Sequence, residues 1–83
     1  MYFVGIDIGS RGAKGVILES TNGQVKLATS FIGDTGPDSV GTSRMVFDSM
    51  ARKLGIELKD VTYVVATGYG RVLVPFANAN ISE

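Results

Sequence analysis

The sequence predicts an α/β fold on a mixed sheet, with elements in the order β-β-β-α-β-α. Three observations carry this. Two short turns separate three segments rich in β-branched and aromatic residues. A stretch of helical periodicity follows, with a proline before it and a glycine after it. A further segment, Val61 to Thr67, is apolar almost throughout, as strands covered on both faces are.

Taken in order, Tyr2 to Ile8 reads as a buried strand and Ala13 to Ser20 as a second. Thr21-Asn22-Gly23-Gln24 carries the Asn-Gly signal of a tight hairpin, so Val25 to Ile32 is expected to return antiparallel. Gly33-Asp34-Thr35-Gly36-Pro37-Asp38 is a loop leading into a helix. Pro37 suits a first helical turn, and Asp34, Thr35, Asp38 and Ser39 are candidate caps. Val40, Phe47, Ala51 and Leu54 recur at helical spacing with Met50 beside them, and are expected to face the core. Lys53 suits the last turn and Gly55 a C′ stop. Val61 to Thr67 is expected at the sheet centre, parallel to the first strand. Arg71 to Asn78 is expected to form a second, shorter helix, with Pro75 blurring its start.

A helical crossover between parallel strands is right-handed in nearly all cases. The element order resembles the opening of an RNase H-like domain, and that resemblance gives an expected strand order of 3-2-1-4, with the fourth strand parallel beside the first. No segment reads as the fifth strand that such a domain usually adds. The fourth strand is thus expected to keep a bare edge, and the chain to self-associate.

Eighty-three residues allow one small domain. With 45% hydrophobic and 19% charged residues the chain is globular rather than disordered. Eight basic and eight acidic residues cancel, so there is no electrostatic footprint for nucleic acid or a membrane surface. The absence of His and Cys excludes a thiol nucleophile, a disulfide framework and a soft-ligand metal site. No apolar run approaches a membrane span, and the N-terminus lacks a signal peptide's features; the expectation is a cytoplasmic protein. No internal repeat, linker or low-complexity segment is found.

The chemistry concentrates near the start. Val4-Gly5-Ile6-Asp7-Ile8-Gly9-Ser10 delivers an aspartate to a strand end, and Lys14 opens the next strand. This is not a Walker loop, because Gly15 follows Lys14 and no helix begins there. It is not a dinucleotide fingerprint either, because Val16-Ile17-Leu18 reads as strand. What remains is a strand-turn-strand phosphate hairpin. Gly9 and Gly12 let the backbone approach an anion, and Ser10 and Lys14 donate to phosphate oxygens. Arg11 sits at the tip and is expected to be solvated without ligand. Asp7 suits Mg²⁺ held through water. Each feature has a plainer reading: a strand-end aspartate that forms the turn, an ordinary glycine turn, and a solubilising lysine.

This hairpin resembles the first phosphate motif of the superfamily containing sugar kinases, actin and heat-shock chaperone ATPases. Val64-Val65-Ala66-Thr67-Gly68-Tyr69-Gly70-Arg71 resembles the Thr-Gly-Tyr-Gly-Arg signature of the ATPase activators of 2-hydroxyacyl-CoA dehydratases, which benzoyl-CoA reductase ATPase subunits share. The tail, Phe76 to Glu83, resembles the stretch just before that family's first Cys-containing segment. Asp7-Ile8-Gly9-Ser10 alone is common to the superfamily; its combination with Thr67 to Arg71 is far more specific.

The resemblance implies that residues 1–83 are the N-terminal, phosphate-binding part of an actin-like ATPase domain whose second lobe lies elsewhere. It implies ATP or ADP with Mg²⁺ as cofactors, and Asp7 as the catalytic and metal-side carboxylate. Gly9, Ser10, Arg11, Gly12, Lys14, Thr67 and Gly68 would contact nucleotide. Arg71 would pair with phosphate or with a partner carboxylate. The longer protein would be a homodimer holding one [4Fe-4S] cluster, whose ligands this chain lacks. It would use ATP hydrolysis to drive an electron to a dehydratase or reductase partner. Relatives commonly carry Thr or Ser where this chain has Ala13, so one hydroxyl contact is expected to be lost. The 83 residues alone are expected to be inactive and to bind nucleotide weakly. The alternatives are a part of another ATPase or sugar kinase of the same fold, and a non-catalytic interaction module. A two-metal nuclease would need several clustered carboxylates, and only Asp7 stands at a suitable strand end.

Overall fold

Alternation along the strands decides which face each residue takes, and the described part, residues 1–68 and 76–81 of a computed structural model, follows it closely. The strands are β1 (Tyr2–Ile8), β2 (Gly12–Thr21), β3 (Gln24–Asp34), β4 (Val61–Thr67) and β5 (Ala79–Ile81), with one helix, α1 (Ser39–Leu54), and a 3₁₀ turn at Leu58–Asp60. They form one sheet in the order β3-β2-β1-β4-β5. β1–β2 and β2–β3 are antiparallel, and β1–β4 and β4–β5 parallel. The expected order 3-2-1-4 therefore holds.

Val4, Ile6 and Ile8 of β1, Ala13 and Ile17 of β2, and Val64 and Ala66 of β4 are buried on one face. α1 covers that face with Val46, Phe47, Met50 and Ala51. The helix seats on Gly15, where a Cβ would come within 2.6 Å of Met50 Cε and 2.7 Å of Val46 Cγ1. Burying these side chains is the main favourable term for so small a core.

Most local signals read from the sequence are in place, but Pro37 precedes the Asp38 N-cap and is not in the first turn of α1, because the helix is capped one residue later. Asn22 and Gly23, with φ of 52° and 80°, make the β2–β3 turn that matches strand twist. Asp38 caps α1, its Oδ1 accepting from the Val40 N–H at 3.1 Å. Gly55 ends the helix in the left-handed conformation, and the Ile56 N–H donates to the Ala51 carbonyl at 3.1 Å.

Three further expectations need correction. Val40 lies in the first turn and is 39% exposed; Val46, which the sequence reading did not select, is fully buried in the stripe with Ser43, Phe47 and Met50. β3 runs past Ile32, because Gly33 and Asp34 still pair with Ala13 and Gly12.

The third correction concerns the end of the chain. Of the helix expected over 71–78, residues 71–75 lie outside the described residues. Phe76 to Asn78 form a turn, and Ala79–Ile81 pair parallel with Val65 to Thr67. The fifth strand thus exists. Asn78 sets its register: its N–H donates to the Val64 carbonyl at 2.8 Å, and its Oδ1 accepts from the Val64 N–H at 2.7 Å. Phe76 anchors the segment on α1, with its ring 5.6 Å from that of Phe47 and the Arg44 guanidinium 5.8 Å away. The edge of β4 is therefore covered from Val64 onward, which removes the reason given for self-association there.

Candidate functional site

The candidate site lies at one end of β1, on the sheet face opposite α1. Because Ile6 and Ile8 point into the core, Asp7 between them points away from it. In register, Asp7 is opposite Lys14 on β2 and beside Thr67 on β4. These three line one shallow depression together with Gly5, Val16 and Val65. Gly5 sits two residues before Asp7 on the same face; that period of two was the signal for this apolar floor.

The turn from β1 to β2 is tight. The Gly9 N–H donates to the Gly12 carbonyl at 2.9 Å, and a Cβ at Gly9 would stand only 2.9 Å from that same oxygen. Ser10 and Arg11 are exposed at the tip. Among the described residues, no protein acceptor takes their amide hydrogens. The Arg11 carbonyl accepts from the Thr35 N–H at 2.8 Å, so the loop after β3 buttresses the turn. The Thr35 Oγ1 beside it is buried with no hydrogen-bond partner. No sequence pattern pointed to Thr35 as a support for the turn, since the contact is purely tertiary.

The ion pairs among the described residues are Lys26–Glu19 and Lys59–Glu57, both at the surface and far along the chain from Asp7. Asp7 and Lys14 take part in neither. Gly68 follows β4 with a φ of +88°, directly against Asp7 and Ile8. The site residues read from the sequence fall into two groups. Asp7, Lys14, Thr67 and Gly68 are together; Gly9, Ser10, Arg11 and Gly12 form the adjoining turn, whose side chains make no hydrogen bond to the first group. Arg71 lies outside the described residues. Ala13 is fully buried on the α1 side, so a hydroxyl there would enter the core rather than this depression.

The residues supply hard oxygen from one carboxylate, one mobile cation and a glycine turn with two available amides. Among the described residues no group of three or more His, Cys, Asp or Glu is gathered for a directly ligated metal. No described helix is long and apolar enough to cross a membrane.

No family model matches the chain. Over all 83 residues it is 42% identical to a 2-hydroxyisocaproyl-CoA dehydratase activator of Clostridioides difficile and 39% identical to an activator of lactoyl-CoA dehydratase of Anaerotignum propionicum. The chain spans about 30% of the length of each of these curated relatives. Among solved structures, it superposes with a TM-score of 0.81 and 40% identity on the Clostridium difficile 2-hydroxyisocaproyl-CoA dehydratase activator with bound ADPNP. That match covers 99% of this chain and 29% of the other. The family named by these matches is that of the 2-hydroxyacyl-CoA dehydratase activators, the one that Thr67 to Arg71 resembles.

Proposed function

We propose that this chain forms the phosphate-side half of the nucleotide site of an ATP-hydrolysing dehydratase activator. The observation that carries the reading is the register of Asp7, opposite Lys14 and beside Thr67, next to the turn from Gly9 to Gly12. The similarity in sequence and fold to a dehydratase activator solved with ADPNP supports it.

In this reading the amides of Ser10 and Arg11 receive phosphate oxygens, which a glycine-rich turn does without a side-chain barrier. Lys14 supplies a point charge to the same phosphates. Thr67 and Gly68 bound the site from β4. Asp7 would hold Mg²⁺; its partly exposed carboxylate, bound in no ion pair among the described residues, suits a hard, hydrated cation. The metal, when bound, would neutralise phosphate charge.

The longer activator, in this proposal, is a homodimer that couples hydrolysis to electron delivery to a dehydratase, or to a reductase of the benzoyl-CoA type. An iron–sulfur cluster does not fit this chain, which contains no cysteine. No step of electron transfer is therefore assigned to its residues.

Titration of the ¹⁵N-labelled chain with Mg²⁺ and ADP tests the site. The expected result is Mg²⁺-dependent amide shifts at Gly9 to Gly12, Lys14, Thr67 and Gly68. Shifts confined to other residues would reject the assignment.

A further inference from the structure

Gly68 differs from the other glycines of positive φ among the described residues. Gly23 and Gly55 have φ of +80° and +68°, yet a Cβ on either would meet nothing within 4 Å. They need only the left-handed backbone that glycine adopts freely. Gly68 has that backbone, at +88°, and also a filled neighbourhood. A Cβ there would run into the Asp7 Oδ1 and the Ile8 carbonyl oxygen, with the Ile8 carbonyl carbon at 2.8 Å.

The two contacts have different consequences. The Ile8 carbonyl belongs to β1, which is held by ladders to β2 and β4 on either side. Ile8 pairs with Ala13 of β2 but stands just beyond the last β1–β4 pair, Asp7 with Thr67, so its carbonyl yields only by a local shift of the backbone. The Asp7 carboxylate yields by turning about its side-chain bonds, so an added methyl group displaces it, while the Ile8 backbone must give way as well.

We infer that Gly68 is a positioning residue for Asp7: by carrying no side chain, it lets the chain cross the end of β1 in contact with the carboxylate and sets where that carboxylate stands. The functional consequence rests on the nucleotide reading proposed above, but the contact stands without it. Loss of a residue that orients a metal-side group is expected to weaken the metal site by about ten- to a hundredfold.

The test compares Gly68→Ala with Gly55→Ala, which shares the backbone strain but meets no neighbour, in the 83-residue chain. Two readouts are taken by NMR: the Asp7 carboxyl and β-methylene signals without ligand, and broadening of those signals by Mn²⁺ with ADP. In Gly68→Ala the Asp7 signals are expected to move and the Mn²⁺–ADP affinity to fall at least tenfold; in Gly55→Ala neither changes. Asp7 signals that shift no more in Gly68→Ala than in Gly55→Ala overturn the inference. If they shift as expected but Mn²⁺–ADP never broadens them in the unsubstituted chain, the positioning role stands and the nucleotide reading falls. Should Gly68→Ala fail to fold, the unsubstituted chain decides. A nuclear Overhauser contact between the Gly68 α-protons and the Asp7 β-protons is expected, and its absence overturns the inference.

Discussion

Asp7 and Lys14 face each other across the β1–β2 ladder on the side of the sheet away from α1, and no ion pair joins them. Opposite charges at directly paired positions would ordinarily neutralise each other. Here each remains available, the carboxylate to a cation and the ammonium to an anion. A Mg²⁺–phosphate ligand, as proposed above, would satisfy both at once.

Asp7→Ala is expected to leave the fold intact, because the side chain lies off the core face and is partly exposed. The amide spectrum should retain its native dispersion while the Mg²⁺-dependent part of the ADP response disappears. A variant that keeps that response would place the metal elsewhere.

Asp38→Ala removes the N-cap of α1 and its bond to the Val40 N–H. The expected cost is about 1 kcal/mol, which for a chain of this size lowers Tm by roughly 4–8 °C. Thermal unfolding followed by circular dichroism measures it, and Asp38→Asn should recover most of the loss.

Gly15→Ala inserts a methyl group where α1 seats on β2, against Met50 Cε and Val46 Cγ1. Met50 can flex; Val46 cannot do so readily. Destabilisation of about 1–3 kcal/mol is expected from overpacking. In a Val46→Ala background the added methyl group fills space instead, so urea denaturation should show a clear departure from additivity.

Asn78→Ala deprives the Val64 N–H of its acceptor at the start of β5. A loss of about 1 kcal/mol is expected, together with faster hydrogen exchange at Val64 and along Ala79–Ile81. Unchanged exchange there would show that the backbone bond from Asn78 to Val64 suffices to dock β5.

The sequence by itself determined what depends on near neighbours. The Asn22-Gly23 turn, the Gly55 stop and the glycine turn after Asp7 are each specified within a few residues, by allowed φ and by side chains that reach their own backbone, whereas the α1 cap was narrowed only to four candidates, of which Asp38 is the one. Alternation placed Ile6 and Ile8 in the core, and so turned Asp7 away from it. Tertiary structure decided the rest. Ala79–Ile81 is too short to show a period, and it is a strand because Asn78 and β4 supply its partners. Val46 rather than Val40 is buried because the helix sits on Gly15, a contact 31 residues apart (46 minus 15). Gly68 reads in sequence as one glycine of a bend; only the parallel pairing of β1 with β4 brings it against the Asp7 carboxylate. Such contacts leave no local trace, because their energy comes from surfaces that meet only after the chain has folded.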